Sequence, residues 1–184
     1  MARLILINGA PGSGKSTLAR VYVEEHPLAL ALDLDVVRGM LGRWLDEPTE
    51  AGLTARRMAL EMARVQLRGG RDVVIPQFLG QLDFVLTLEH LCHDVGADFV
   101  ELVLLSGSQD VVDRFVRRSV NPQTAEHRDA QALLERGGGV GALPAMYERL
   151  LGVVASRPRT RTVVTVDGQA EQAYRDLLAQ IARA

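Results

Sequence analysis

The sequence predicts an α/β fold, a three-layer sandwich in which one parallel sheet of five strands is covered by helices on both sides. Three observations carry this. Short runs rich in Leu, Val and Ile, each of strand length, alternate with longer helical patterns along the chain, as strand–helix–strand units require. Those runs are apolar on both faces, which marks strands buried in a parallel sheet. The first of them opens into a glycine-rich turn that leads straight into a helical pattern.

Taken in order, the strands are expected at 4–8 (LILIN), 28–35 (LALALDLD), 72–77 (DVVIPQ), 99–105 (FVELVLL) and 162–167 (TVVTVD). Helices are expected at 16–25, 36–45, 50–68, 80–94, 108–119 and 169–183. The helix over 50–68 has the plainest signature, with Leu53, Arg57, Leu60, Arg64 and Leu67 at spacings of three to four and Gly69-Gly70 as its stop. Between the fourth and fifth strands an insertion, roughly 118–158, carries the turn signal Asn121-Pro122, the glycines 137–139 and 141, and Pro144 at a first helical position. It reads as two helices about a glycine hinge within a single domain spanning 1–184.

The composition narrows the function classes. With 184 residues, 47% hydrophobic and 24% charged, the chain is one globular unit with a real core. A formal net charge of −2 argues against a long nucleic-acid partner, which needs a basic face. Cys92 is the single cysteine, so no internal disulfide and no cysteine-paired metal site is expected; His90 and Cys92 share the helix with His93, but His93 adjoins the cysteine and lies on another face. No apolar stretch long enough to span a membrane is present, and glycines and a lysine follow the N-terminal apolar run where a secretion signal would continue. A cytoplasmic protein is the expectation, and the oligomeric state is left open.

The stretch GAPGSGKST comprises Gly9, Ala10, Pro11, Gly12, Ser13, Gly14, Lys15, Ser16 and Thr17. It matches the phosphate-binding loop, or Walker A motif, and has that motif's strand-then-helix context. Its glycines let backbone N–H groups turn inward around a phosphate at a helix N-terminus; Lys15 is placed to reach the β- and γ-phosphates and the Ser16 hydroxyl to ligate Mg²⁺. Lys15 is the only lysine among 21 basic residues. A compact ammonium suits this cradle and the planar fork of arginine does not. With no second lysine the chain lacks the Asn-Lys-x-Asp segment that reads guanine, so ATP is the expected nucleotide.

In ALDLDVVRGML, residues 31–41, Asp33 and Asp35 are expected on one side of the second strand at the sheet edge where ligands bind, with Arg38 following in the first helical turn. Asp35 is also suited to cap that helix. The arrangement resembles the small P-loop kinases that phosphorylate a hydroxyl: shikimate kinase, with an Asp-x-Asp pair; gluconate and adenylylsulfate kinases; chloramphenicol phosphotransferase; and phage polynucleotide kinase, with an Asp-x-x-Arg. The resemblance implies the P-loop fold with strand order 2-3-1-4-5 and a helical lid. It also implies that Asp35 accepts the proton of the attacking hydroxyl, that Asp33 holds a water on Mg²⁺ or a second substrate hydroxyl, and that Arg38 binds an anionic or polar group of the acceptor. One departure stands out: the third strand ends in Pro76-Gln77 where the common pattern has a magnesium-supporting aspartate, so either Asp33 supplies that carboxylate, as the resemblance allows, or the metal site is weak.

Gln77 and Phe78 are candidates to line the acceptor pocket. In DVVDRFVRRS, Arg114, Arg117 and Arg118 fall at i, i+3 and i+4, on one helical face. The resemblance gives one lid arginine to the adenine and another to the transferring phosphate, with Arg128 a substitute from the lid itself. It also brings Asp167 and Gly168, at the end of the last strand, beside the adenine.

The reading is therefore a magnesium-dependent kinase that transfers the γ-phosphate of ATP to a hydroxyl of a small metabolite or antibiotic. A nucleotide or polynucleotide 5′-hydroxyl kinase is a rival within catalysis, and a nucleotide-dependent regulatory switch is a rival from another class.

Overall fold

A computed structural model of the chain describes residues 1–106, 138–183, Ala132 and Glu135. Within them, β1 (Arg3–Gly9) leads to α1 (Lys15–Glu25), β2 (Leu30–Ala31), α2 (Leu34–Gly39), α3 (Pro48–Arg68), β3 (Val73–Pro76), α4 (Leu82–Val95) and β4 (Asp98–Leu105). After a short 3₁₀ turn (Gly139–Ala142) follow α5 (Leu143–Ala155), β5 (Arg161–Val164) and α6 (Ala170–Ile181). The five strands form one parallel sheet in the order β2-β3-β1-β4-β5. Both the all-parallel sheet and its order agree with the expectation from sequence.

Strand β1 lies at the centre, paired with β3 on one side and β4 on the other, and its apolar residues are wholly buried. Its side chains alternate between two cores, as the strand period requires. Leu4 and Leu6 face a cluster with Val37 of α2, the inner face of α3, and Phe84, Val85 and Leu88 of α4. Ile5 and Ile7 face a second cluster with Leu18 and Tyr22 of α1 and Tyr174, Leu177 and Ile181 of α6. A strand apolar throughout is needed because both of its faces are covered.

Helix α3 forms where the leucine spacing predicts it, and Leu67 and the partly buried Leu60 share its core face with a row of alanines. Ala51, Ala55, Ala59, Ala63 and Leu67 point inward, while Leu53, Met58, Met62 and Val65 are exposed. Small residues at every fourth position let the helix lie close to its neighbours, and interaxial distance follows side-chain size at the contact.

The second strand is much shorter than 28–35. It pairs only at Leu30 and Ala31, with Leu32 N–H still donating to the Val74 carbonyl at 2.8 Å. Asp33 then ends it, because its carboxylate accepts from the Asp35 N–H at 2.9 Å and caps α2. Helix α2 accordingly starts at Leu34, two residues earlier than expected, and stops at Gly39. The last strand likewise ends at Val164, short of Asp167. Pro144 is the second residue of α5, a position where its missing N–H costs no intrahelical bond.

Helix α5 is fastened to the sheet at two points. The Tyr147 hydroxyl donates to the Ser106 carbonyl at 2.9 Å. Just past the helix, Arg157 bridges Glu101 of β4 (Nε to Oε2, 2.6 Å) and Glu89 of α4 (Nη2 to Oε2, 3.0 Å). Burial opposes that guanidinium's charge, but the bonds and charges of Glu101 and Glu89 outweigh it and raise its pKa. Cys92 is buried on α4, and desolvation, with the charges of Glu89 and Asp98, pushes its thiol up to about 12. Among the described residues no helix is long and apolar enough to cross a membrane, and no group of His, Cys, Asp and Glu could hold a metal by itself.

Candidate active site

The glycine-rich stretch turns from β1 into α1 as a compact loop. Gly12 and Gly14 adopt left-handed φ values of 86° and 93°, which a Cβ would strain. A Cβ on Gly9 would come within 2.6 Å of the Ser13 Oγ. The loop closes through a bond from Ser13 N–H to the Ala10 carbonyl at 3.1 Å, and Lys15 Nζ folds back to donate to the same carbonyl at 2.9 Å. Helix α1 begins with no side-chain cap and no acidic residue in its first turn. Its leading N–H groups have no intrahelical acceptors, and the helix dipole favours an anion there. These features suit a bound phosphate group.

From this loop a chain of contacts runs to the next strand. The Ser16 hydroxyl donates to Asp33 Oδ2 at 3.1 Å, Asp33 Oδ1 accepts from the Asp35 N–H, and the Asp35 carboxylate pairs with Arg38 Nη1 at 3.0 Å. Asp33, not Asp35, is the helix cap, and Asp35 lies within the first turn of α2 and not on the strand. The two carboxylates therefore do not share a side through the strand period; Asp33 turns toward Ser16 and Asp35 toward Arg38. Burial, followed by the charge of Asp35, raises the Asp33 pKa, while the Asp35 N–H, the Ser16 hydroxyl and Lys15 pull it down. A divalent cation beside Ser16 would relieve that surplus negative charge. One hydroxyl and one carboxylate also suit Mg²⁺, which completes its shell with phosphate oxygens and waters.

The third-strand exit is pinned to the phosphate loop by a residue that the reading of the sequence passed over. Asn8, fully buried at the end of β1, accepts through Oδ1 from the Gly9 and Leu79 N–H groups at 2.8 and 2.9 Å and donates through Nδ2 to the Leu79 carbonyl at 3.0 Å. A lone amide closing an otherwise apolar strand was the available signal. Beyond it lies a cavity of about 310 Å³ lined by Phe78, Gly80, Asp83 and Phe84, with Arg56 from α3 and Arg149 from α5. Phe78 lines this cavity, whereas Gln77 does not. Its N–H donates to the Ile7 carbonyl and its buried Oε1 has no partner. Gly80 keeps the cavity floor close to α5, since a Cβ there would stand 3.2 Å from the Arg149 Cβ. Arg56 and Arg149 were not foreseen, because packing of remote helices brings them together.

Asp167 and Gly168 are exposed in the turn between β5 and α6, where Gly168 has a φ of 75°. Arg114, Arg117, Arg118 and Arg128 lie outside the described residues.

A central parallel strand running into a glycine loop, a helix that starts on that loop and the strand order 2-3-1-4-5 define the P-loop α/β fold of small kinases. The chain belongs to the family described as "AAA domain", whose model matches residues 4–136, a kinase-like group of P-loop proteins. An uncharacterized protein of Mycobacterium tuberculosis is 32% identical over 146 residues, covering 73% of this chain. The chain spans only 29% of that relative's length. Among solved structures, the tunicamycin resistance protein of Deinococcus radiodurans superposes with a TM-score of 0.63 at 18% identity, covering 98% of this chain and 96% of its own. A gluconokinase from Sinorhizobium meliloti gives 0.60 at 17% identity, with 97% and 91% covered. At these identities the likeness is one of fold.

Proposed function

We propose that the protein is an ATP- and magnesium-dependent kinase that phosphorylates a hydroxyl of a small molecule. The observation that carries this is the continuous chain Ser16–Asp33–Asp35–Arg38, which joins the phosphate loop to a carboxylate and a guanidinium on the neighbouring strand exit. A pure nucleotide-binding switch needs the loop but has no use for a second, polar compartment beside it. The kinases among the fold's neighbours support the same reading.

In this reading the main-chain amides of Gly12 to Thr17 and Lys15 hold the β- and γ-phosphates. Ser16, with Asp33 behind it, would hold Mg²⁺, which would offset the negative charge of the β- and γ-phosphates. Asp35, within the first turn of α2, accepts the proton from the acceptor hydroxyl as its oxygen attacks the γ-phosphorus and the bond to ADP breaks. Arg38 orients the acceptor through a polar or anionic group. The cavity between Phe78, Arg56 and Arg149 receives the rest of the molecule, and its two guanidinium groups against one carboxylate, Asp83, favour an acidic acceptor. Arg117, with Arg114 and Arg118, remains the expected source of positive charge over the transferring phosphate, and Asp167 and Gly168 the expected flank of the adenine.

The test is ADP release measured with a panel of hydroxylated acceptors: sugars and sugar acids, nucleosides, antibiotics and short oligonucleotides. One class should raise ADP release sharply, and Asp35→Asn should cut that transfer by about 10²–10⁴-fold while ATP still binds. Full transfer by Asp35→Asn would reduce Asp35 to a helix residue. Slow ATP hydrolysis that no acceptor stimulates would favour the switch.

A further inference from the structure

Helix α3 is the longest helix among the described residues, and its outer side is apolar to an extent that a solvated surface does not need. It carries four of the twelve large hydrophobic side chains that stand exposed among those residues: Leu53, Met58, Met62 and Val65. Met58, Met62 and Val65 follow one another at steps of four and three, so they form a single stripe. Leu28 widens the patch near the end of the helix, because the Gln66 amide donates to the Leu28 carbonyl and holds that exposed residue beside the last turns. Apolar surface that is contiguous, and not scattered singly, marks an interaction site.

A charged line runs beside the stripe. Glu50, Arg57, Glu61, Arg64 and Arg68 recur at steps of seven, four, three and four, which keeps them on one side of the helix. The pairs they form within the chain, Arg57 with Glu50 at 2.9 Å and Arg64 with Glu61 at 3.4 Å, lie at the surface and contribute little by themselves. From its N-terminal end the line runs acid, base, acid, base, base. Turned end over end about the level of Ala59 and laid against itself, it sets Glu50 opposite Arg68 and Arg57 opposite Glu61, while Arg64 faces Thr54. A two-fold axis makes each of these pairings twice, and no like charges meet. A parallel pairing would set every charge against its own copy. The antiparallel register also brings Met58, one residue from the axis, against the Met58 of the other copy.

We propose that the outer face of α3 is the interface of a homodimer, in which two copies of this helix pack antiparallel about a two-fold axis at the level of Ala59. Met58, Met62 and Val65 fill the seam, and the Glu50–Arg68 and Arg57–Glu61 pairs run along its flank. The partner is a second copy of this chain because the charge pattern is complementary to its own reversal. A seam of two single helices is smaller than a standard interface, so the dimer is a weak one with a dissociation constant in the micromolar range. Arg56 turns away from this face toward the ring of Phe84, so the interface leaves the candidate cavity open. The dimer does not depend on the kinase reading.

Sedimentation velocity of the full chain between about 1 and 200 µM should show a reversible passage from monomer to dimer. Arg68→Glu sets like charges together at both ends of the seam and should weaken association about tenfold or more; combining it with Glu50→Arg should restore association to within about threefold of wild type. Met58→Lys should leave a monomer throughout, with an unchanged circular dichroism spectrum in every variant as the check on folding. Disulfide trapping reads the geometry independently of stability. Cys92 is buried with its thiol pushed up to about 12, so Met58→Cys supplies the one reactive thiol. Mild oxidation should link two copies of Met58→Cys, whereas Leu86→Cys, comparably exposed on α4, should stay monomeric. A chain that is monomeric across the whole range, a dimer indifferent to Met58→Lys and Arg68→Glu, a charge exchange that restores nothing, or equal linking of the two cysteine variants overturns the proposal.

Discussion

The phosphate loop and the proposed acceptor side are joined by the Ser16–Asp33 hydrogen bond and by the Asn8 amide, which bonds both Gly9 and Leu79, yet they hold their shapes by different means. The loop is made of backbone: left-handed glycines at 12 and 14, a Gly9 with no room for a Cβ, and a helix N-terminus without a cap. The acceptor side is made of side chains: the Asp33 cap, the Asp35–Arg38 pair, the Arg38–Trp44 stack and the Asn8 brace. A backbone device tolerates many neighbours, because its geometry is written into local residue types. A side-chain device depends on contacts that one substitution removes. In a kinase this division would let one donor machinery serve acceptors that differ widely.

That contrast can be broken or sharpened, beginning with the strongest perturbation. Lys15→Ala should lower ATP turnover by about 10²–10³-fold or more, as loss of a charge-stabilising donor does, with the fold intact by circular dichroism. A small loss would mean that the amides alone carry the phosphates. Asn8→Ala strips partners from two buried N–H groups and should cost about 2–4 kcal/mol in urea unfolding. A cost below about 1 kcal/mol would show that packing, and not the amide, joins the two regions. Asp33→Ala removes the cap of α2, about 1 kcal/mol in thermal unfolding, and on the proposed metal role should weaken Mg²⁺-dependent ADP binding by about 10–100-fold. The cap without the metal effect would confine Asp33 to the acceptor side. The least response is expected from Cys92, away from both regions. With its thiol pushed up to about 12, almost no thiolate forms at pH 8, so Ellman's reagent should leave it unmodified until the protein unfolds.

The same contrast explains what the sequence disclosed. The strand, loop and first helix were legible because glycines at fixed spacing between an apolar run and a helical pattern leave few other conformations. The second strand was misjudged because LALALDLD keeps the strand period through Asp35, while the backbone obeys the Asp33 carboxylate, a capping bond that the period does not reveal. In α3 the leucine spacing marked the helix but not the alanines at every fourth position that share its core face with Leu60 and Leu67, because small residues give no hydrophobic signal of their own. Arg56 and Arg149 reach the candidate cavity through the packing of distant segments.

The Arg157 clasp has a mechanical consequence. A guanidinium sunk against Glu101 cannot loosen by degrees, because parting from that buried carboxylate leaves a charge stranded away from water, while the half-exposed Glu89 holds its other side. Helix α5 is thereby bolted to the sheet, and the cavity wall that presents Arg149 belongs to the chassis. On the opposite wall Arg56 lies over the ring of Phe84, 5.2 Å from its centre, a softer contact than an ion pair sunk in the sheet.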